Sequence, residues 1–398
     1  MKYIVILGDG MADEPLECLG GQTPLSFANT PNMDVLASKG EIGLAKTVPD
    51  SMKPGSDVAN LAVLGYDPEK NYSGRSPLEA LSVGVKMEEK DVIFRCNLVT
   101  LTEDEPFDQK TIVDHSAGEI STEDADVLMD VIRENFDGDE FRFFTGTSYR
   151  NISVWKNGRV LDLSQPHDHL GECIGRYLPA QERLREMMEK SYYLLNEHPL
   201  NLRRAKEGKN KANALWFWGA GTKPSLISFA QKSGLQGAMI SAVDLLKGIA
   251  VGTGMQVIDV PGATGSLHTN YEGKARAAVK ALNDGADYVY IHVEAPDEMG
   301  HQGSVEKKIM AIEQIDSKVV AIVKAEMDAL GQPYRILISP DHPTPIRCRT
   351  HTSDPVPFIL YDSTKEYKRI AKYSEQEAEA SGIYIEKGYT LLDRLIGR

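Results

Sequence analysis

This 398-residue sequence has few cysteines and no long apolar run. The cysteines are far apart and form no C-x-x-C pair; they are Cys18, Cys96, Cys173 and Cys348. Because this pattern fits neither a disulfide framework nor a zinc ribbon, it favours a reducing compartment. The first apolar run covers only residues 3–7, which is too short for a signal peptide or a membrane span. We therefore expect a soluble cytoplasmic protein with no membrane partner.

An excess of positive charge is also lacking. The chain carries 44 lysines and arginines against 58 aspartates and glutamates, a formal net charge of −14. This balance argues against nucleic acid or an anionic membrane as a partner, and an anionic small substrate would need local basic residues. No G-x-x-x-x-G-K-[ST] loop is present, and the glycine turns "GAGTKP" and "GTGMQV" do not complete a dinucleotide-binding fingerprint.

Apolar strands alternate with amphipathic helices along the chain. Residues 3–7, 287–293 and 334–339 are short β-rich runs, typical of strands buried on both faces. The last two follow helical stretches with apolar residues at i, i+3, i+4 spacing that end in glycine. This alternation predicts an α/β fold with a mostly parallel sheet flanked by helices. We assign residues 213–221 and 237–241 to the same sheet.

The middle of the chain has a different pattern. Between residues 111 and 178 the candidate strands are short and alternating, and charged turns such as "DGDE" separate them. We predict an inserted α+β cap domain over residues 111–178, within a core domain of residues 1–110 and 179–398. A long helix within residues 179–199 is expected to lead back into the core.

Acidic and histidine residues follow three of the predicted strands. Asp9 follows the first strand, Asp297 and His301 follow the second, and Asp341 and His342 follow the third. Ligands of open α/β sheets bind at the carboxyl ends of the strands. We therefore expect these side chains to share one site.

A proline-rich loop, "SPDHPTPIRCRTHTSDPVPF", contains Asp341 and His342 and adds His351. Proline restricts φ and stiffens a loop, and Asp and His are common metal ligands. The alternative is a solvated turn in which these side chains are incidental. Six candidate ligands exceed what one divalent ion needs. They favour a pair of ions, which is a standard arrangement for phosphoryl transfer.

Ser56 is the candidate nucleophile. It lies in a Pro-Gly-Ser turn before "DVANLAVLG", which we interpret as a helix. At a helix N-terminus the free N–H groups and the dipole favour an anion, such as a phosphoserine. The alternative is an ordinary serine N-cap.

These motifs resemble those of a known family. "GDG" at Asp9, "PGSDVANLAVLGYDP" at Ser56, "HVEAPDEMGH" and the proline-rich loop are similar to the metal-binding motifs of cofactor-independent phosphoglycerate mutases of the archaeal-type branch. This family belongs to the alkaline phosphatase superfamily, and the similarity extends over nearly the whole chain. The resemblance implies an alkaline phosphatase-like α/β fold. It also implies interconversion of 3-phosphoglycerate and 2-phosphoglycerate through a phosphoserine at Ser56, with a small phosphorylated substrate as the partner.

The resemblance also implies two groups of metal ligands. One ion would be held by Asp9, Ser56, Asp341 and His342, and the other by Asp297, His301 and His351. Mn²⁺ or Mg²⁺ is the expected metal, although such ligands also accept Zn²⁺ or Co²⁺. The family's inserted domain supplies groups that grip the substrate. Our candidates for substrate binding are Arg75, Arg95, Arg150, Lys247 and His115.

Two segments depart from the family pattern and leave alternatives open. In "VDHSAGEIS", residues 113–121, His115, Ser116 and Glu119 stand where arginines are expected, and residues 164–171 also differ. Because arginines bind carboxylate and phosphate in bidentate fashion, their loss weakens the case for phosphoglycerate. A sister branch proposed to be a homoserine kinase is similar here, and Asp114 or Glu119 would then bind an ammonium group. A non-catalytic scaffold that binds metal and phosphate is a third hypothesis. Overall similarity favours the mutase.

Overall fold

The computed structural model describes residues 1–365 and 372–398. The chain divides into two compact units: unit 1 comprises Met1–Tyr72 and Ser225–Arg398, and unit 2 comprises Ser73–Pro224. No helix in the described ranges is long and apolar enough to cross a membrane.

Thirteen strands occur in the described residues. In chain order they are β1 (Lys2–Gly8), β2 (Gly40–Ala45), β3 (Val92–Leu101), β4 (Ile112–Asp114), β5 (Phe141–Thr147), β6 (Arg150–Trp155), β7 (Ala214–Thr222), β8 (Gly237–Ile240), β9 (Gln256–Val257), β10 (Tyr288–Val293), β11 (Tyr334–Ser339), β12 (Val356–Asp362) and β13 (Tyr384–Ile385).

The same residues contain sixteen α-helices. They are α1 (Pro24–Phe27), α2 (Pro31–Ser38), α3 (Ser56–Val63), α4 (Pro68–Asn71), α5 (Arg75–Ser82), α6 (Thr122–Phe136), α7 (Glu182–Leu195), α8 (Pro199–Lys206), α9 (Phe229–Ser233), α10 (Asp244–Gly252), α11 (Tyr271–Asn283), α12 (Ala295–His301), α13 (Val305–Ile315), α14 (Ala321–Leu330), α15 (Glu375–Ala380) and α16 (Leu391–Ile396). A π-helical segment, Asp316–Val320, joins α13 to α14.

Unit 1 is built on an eight-stranded sheet in the order β13-β2-β12-β11-β1-β10-β8-β9. β12 is antiparallel to both of its neighbours, and the other pairs in this sheet are parallel. Every residue of β10 is buried, as expected for a parallel strand covered on both faces. The predicted α/β class with a mostly parallel sheet is confirmed.

Helices cover this sheet through apolar stripes. In α11, Ala275, Ala278, Val279 and Leu282 follow helical spacing and lie in the core of unit 1. The strand residues Ile4, Ile6, Ile291 and Ile336 belong to the same core. The resulting central layer fixes the positions at which β1, β10 and β11 end.

Unit 2 has a separate antiparallel sheet and its own core. β3 pairs with β4, β6 and β7, and β6 also pairs with β5. All ten residues of β3 are buried. Aromatic side chains fill much of this core, and Phe94, Phe217 and Trp216 are nearly inaccessible.

The predicted domain boundaries differ from the observed division. The sequence pattern predicts them after residues 110 and 178, whereas the chain passes from one unit to the other after Tyr72 and again after Pro224. Residues 213–221, which we assigned to the large sheet, form most of β7 and pair with β3 in unit 2, with Phe217 opposite Cys96. The helix expected to lead back into the core, α7, also belongs to unit 2. An apolar run indicates burial but not the partner strand, because a buried antiparallel strand has the same composition as a parallel one.

Candidate functional site

Three neighbouring strands of unit 1 end beside one another. Gly8 of β1 pairs with Val293 of β10, and Leu7 pairs with Ser339 of β11. Asp9 follows β1 directly, α12 follows β10, and Asp341 lies two residues after β11. Because the three strands are parallel, these residues meet at one edge of the sheet.

The first group of candidate ligands is Asp297, His301 and His351. Nε2 of His301 lies 3.2 Å from Oδ2 of Asp297, and Nε2 of His351 lies 3.4 Å from its Oδ1. The two Nε2 atoms are 3.1 Å apart. Nδ1 of His301 donates to the carbonyl oxygen of Arg349 at 2.9 Å, which leaves Nε2 facing the carboxylate.

The second group is Asp9, Asp297 and His342, all of them buried. Oδ1 of Asp9 lies 3.6 Å from Nε2 of His342 and has no hydrogen-bond partner in the part of the chain that the structure describes. Asp297 thus belongs to both groups, whereas the resemblance assigned it to one. Asp341 lies beside the second group: its Oδ2 is 3.4 Å from His342 Nε2, and its oxygens also accept N–H donors from Gly10, His342 and Asn60.

Ser56 is the first residue of α3, as expected from its turn. Gly55 occupies the N-cap position, so the Ser56 hydroxyl does not cap the helix. Instead, its Oγ lies 3.1 Å from Nε2 of His342. The structure therefore places the candidate nucleophile against the candidate metal ligands.

Without metal ions, the close approach of these buried carboxylates disfavours their charged forms. Burial raises the pKa of Asp9 well above its ordinary value, and the charges of Asp341 and Asp297 raise it further. Burial also acts on Asp297, but hydrogen bonds from His301 and His351 hold its pKa well below the ordinary value. Bound cations would offset the negative charge of these closely spaced carboxylates and would give the buried Oδ1 of Asp9 a partner. The donor set therefore fits divalent metal ions.

Three supporting residues were not among the predicted site residues. His292 donates from Nε2 to Oδ2 of Asp9 at 2.8 Å, and burial lowers its pKa to about 3, so the ring is neutral. Asn60 contacts Asp341 at 2.8 Å. The ammonium group of Lys308 donates to the carbonyl oxygen of Thr344 in the proline-rich loop, at 2.8 Å. Two of them left a signal in the sequence, because Asn60 lies one helical turn after Ser56 and His292 begins the motif "HVEAPDEMGH".

The predicted substrate arginines lie in unit 2 around one buried carboxylate. Nε of Arg75 and Nη2 of Arg95 donate to the same oxygen of Glu79, at 2.8 and 2.7 Å. The charge of Arg150 also acts on Glu79. Burial alone would raise the pKa of Glu79, but Arg95 and Arg75 lower it below the ordinary value.

Two of these guanidinium groups stack on aromatic rings. Arg95 lies 4.8 Å from the ring centroid of Trp218, and Arg150 lies 4.3 Å from that of Tyr149. His115 packs edge-on against Tyr149, at 5.6 Å between centroids. Burial lowers the pKa of Arg95 to about 10, and its Nε has no hydrogen-bond partner within residues 1–365 and 372–398.

Lys247, the fifth candidate substrate group, lies in unit 1 and is not part of this arginine cluster. Its ammonium group pairs with Asp259 at 2.6 Å.

Known proteins are similar to this chain over its full length. A family model described as 2,3-bisphosphoglycerate-independent phosphoglycerate mutase matches residues 37–201. A Methanosarcina mazei protein of that name is 48% identical, with 100% of each chain covered. A Geobacter sulfurreducens relative bearing the same family name is 51% identical, also over 100% of both chains.

Two solved structures are similar in fold. A Pyrococcus horikoshii protein has a TM-score of 0.81 and 30% identity, covering 100% of this chain and 97% of its own. The cofactor-independent phosphoglycerate mutase of Thermoplasma acidophilum has a TM-score of 0.66 and 27% identity, covering 100% and 99%.

Proposed function

Since this chain belongs to the 2,3-bisphosphoglycerate-independent phosphoglycerate mutase family, we propose that it interconverts 3-phosphoglycerate and 2-phosphoglycerate through a phosphoserine at Ser56. The observation that supports this mechanism is the 3.1 Å contact between Ser56 Oγ and His342 Nε2, beside clustered carboxylates. The reaction is an isomerisation, and as a step of glycolysis it belongs in the cytoplasm.

Ser56 exchanges one phosphate ester for another. Its Oγ loses a proton and forms a bond to phosphorus while the bond from phosphorus to the 3-oxygen of the substrate breaks, and that oxygen gains a proton and leaves as a glycerate hydroxyl. The 2-oxygen then attacks the phosphoserine and releases Ser56. Because the phosphoryl group that leaves the substrate is returned to glycerate, no nucleotide is required as a donor. Ser56 begins α3, and the dipole and N–H groups at a helix N-terminus favour the phosphoryl anion.

We assign the metal ligands as the family resemblance implies. Asp9, Ser56, Asp341 and His342 would hold one ion, and Asp297, His301 and His351 the other. Mn²⁺ or Mg²⁺ is proposed, with Zn²⁺ or Co²⁺ as alternatives. Such ions supply positive charge for the oxygens of a phosphoryl transfer. The chain's contribution is to fix the ligands, and the contacts of Asp297 with both histidines support its central place.

Arg75, Arg95, Arg150 and His115 are proposed to bind the negative groups of the substrate. The buried Nε of Arg95 has no hydrogen-bond partner among the described residues, and stacking on aromatic rings restricts the guanidinium groups of Arg95 and Arg150. A restricted guanidinium loses less entropy when it binds a carboxylate or phosphate. Lys247, which pairs with Asp259 in unit 1, is the fifth residue proposed to bind the substrate.

A substrate comparison with the purified full-length protein tests the proposal. With Mn²⁺ and 3-phosphoglycerate alone, we expect 2-phosphoglycerate to appear in ³¹P NMR spectra without ATP. Homoserine with ATP should give no phosphohomoserine. Formation of phosphohomoserine without mutase activity would establish the kinase alternative, and inactivity in both assays would favour the non-catalytic scaffold. The mutase name carried by relatives at 46–51% identity favours the first outcome.

A further inference from the structure

The side chain of Asn60 connects the candidate nucleophile to a candidate metal ligand. Asn60 is fully buried in α3. Its Nδ2 donates both to the carbonyl oxygen of Ser56 and to Oδ2 of Asp341, each at 2.8 Å. Its Oδ1 accepts from the hydroxyl of Tyr290, on β10, at 2.6 Å. Every polar atom of this amide is therefore paired.

The polar groups around Asn60 determine which way its amide points. If the amide were rotated by half a turn, Oδ1 would face two acceptors, the Ser56 carbonyl and the Asp341 carboxylate. A buried arrangement of that kind leaves acceptors without donors. The hydroxyl donor on one side and the two acceptors on the other select the observed orientation.

The other oxygen of Asp341 is held independently. Its Oδ1 accepts from the backbone N–H groups of Gly10, at 3.1 Å, and His342, at 2.9 Å. Asn60 is thus the side-chain contact that joins this carboxylate to the first turn of α3. None of these contacts of Asn60 and Asp341 is made by Arg75, Arg95 or Arg150.

We infer that Asn60 is a positioning residue for phosphoryl transfer, which keeps Ser56 in register with Asp341, and that Tyr290 fixes the amide of Asn60. This inference rests on the proposed function of Ser56 and Asp341. Because the network contacts the nucleophile and a metal ligand, its loss affects the transfer step and metal affinity rather than substrate affinity.

Tyr290→Phe and Tyr288→Phe form a matched pair of variants. Both tyrosines lie on β10 and are fully buried, but the hydroxyl of Tyr288 has no hydrogen-bond partner in the described residues. Each substitution removes one hydroxyl from the same strand. We expect Tyr290→Phe to lower kcat about fivefold to tenfold, with KM within twofold of wild type, since one buried acceptor loses its donor. Tyr288→Phe should leave both constants unchanged.

Mn²⁺ binding gives a readout that needs no substrate. Titration of free Mn²⁺, followed by electron paramagnetic resonance, should show several-fold weaker binding for Tyr290→Phe and for Asn60→Ala, and wild-type binding for Tyr288→Phe. If wild type does not isomerise phosphoglycerate, the proposed function fails, and the Mn²⁺ titration still tests the positioning of Asp341.

Three results would overturn the inference. The first is equal kcat and Mn²⁺ affinity in the two Tyr→Phe variants. The second is a rise in KM alone. The third is a weaker Mn²⁺ affinity with wild-type kcat, because Asn60 would then act on Asp341 without Ser56.

Discussion

The hydroxyl oxygen of Ser56 lies 3.1 Å from Nε2 of His342, although 286 positions separate the two residues in the sequence. The start of α3 and the loop after β11 create this contact. A serine held against a buried imidazole, which itself lies beside the carboxylates of Asp9 and Asp341, is suited to accept a phosphoryl group when cations are present. The contact therefore connects the nucleophile and the metal site in one hypothesis.

Ser56→Ala should abolish isomerisation, because the transfer has no other acceptor in this mechanism. We expect the rate to fall about 10⁴-fold or more, as for removal of other covalent nucleophiles. Circular dichroism should show an unchanged fold. Ser51→Ala, an exposed serine in the preceding loop, is the control and should keep wild-type activity. Substantial turnover by the Ser56 variant in the ³¹P NMR assay would exclude a phosphoserine mechanism.

Removal of divalent metal ions by a chelator should abolish activity. Treatment with EDTA followed by desalting is expected to remove activity, and Mn²⁺ should restore it. The unfolding temperature should rise on adding Mn²⁺, because a ligand bound only to the native state contributes about 2.7 kcal/mol at a hundredfold excess over Kd. Magnesium and zinc salts added in parallel identify the preferred metal. Activity that is indifferent to chelation would contradict the two-ion site.

The parts of the fold and site that the sequence predicted are those encoded locally. The strands near Asp9, Asp297 and Asp341 were found because a short apolar run and the polar residue after it are adjacent in the chain. Parallel strands then bring their ends together without further information. Which strand a given strand pairs with is not encoded by neighbouring residues in this way. For that reason the pairing of β3 with β7, and the boundaries that depend on it, were missed.

Supporting residues were missed for a related reason. Glu79 is i, i+4 from Arg75, which suggests only a surface ion pair, and its contact with Arg95 depends on packing against β3. Lys308 reaches the carbonyl oxygen of Ala12, a residue 296 positions away. In a sequence, a helical lysine is ordinarily a solvated residue. Its burial becomes evident only when the surrounding elements are assembled.

The affinity for Mn²⁺ should rise with pH between about 6.5 and 9. In the protein alone, the hydrogen bond to Asp297 raises the pKa of His301 to about 9, so this ring is protonated at neutral pH and a metal must displace the proton. Protonation of His301 stabilises the metal-free fold fully below pH 6.5, and this contribution is lost as pH approaches 9.

Calorimetry of Mn²⁺ binding at pH 7.5 in buffers of different ionisation enthalpy should therefore reveal proton release. His301→Asn should reduce that release. An affinity that does not vary with pH would show that His301 is not a ligand.

Glu79→Ala should destabilise unit 2 strongly. Its carboxylate and the guanidinium of Arg95 are both about nine-tenths buried, so the substitution leaves an uncompensated buried charge. Removing one partner of such a pair costs about 3–5 kcal/mol. Glu89→Ala is the control, because the Glu89–Lys223 pair is largely exposed and an exposed ion pair contributes little to the free energy of unfolding. Urea unfolding measures both, and equal free energies of unfolding for the two variants would refute the argument.

Lys308→Met should destabilise unit 1 by a comparable mechanism. The ammonium group of Lys308 is fully buried and donates to Oδ2 of Asp13 at 2.7 Å and to the carbonyl oxygens of Ala12 and Thr344. These contacts connect the segment after Asp9 with the proline-rich loop. Without the ammonium group, the Asp13 carboxylate stays buried without its cation, which costs about 3–5 kcal/mol.

A double-mutant cycle with Asp13→Asn separates this charge pairing from lost packing. If the two charges depend on each other, the double variant should be more stable than the sum of the single losses predicts, by about 1 kcal/mol or more. Lys280→Met, which removes an exposed lysine paired with Asp284, should change the free energy of unfolding by less than about 1 kcal/mol. Strict additivity in the cycle would mean that Lys308 stabilises the two segments through its carbonyl contacts and packing, and that the ion pair contributes little.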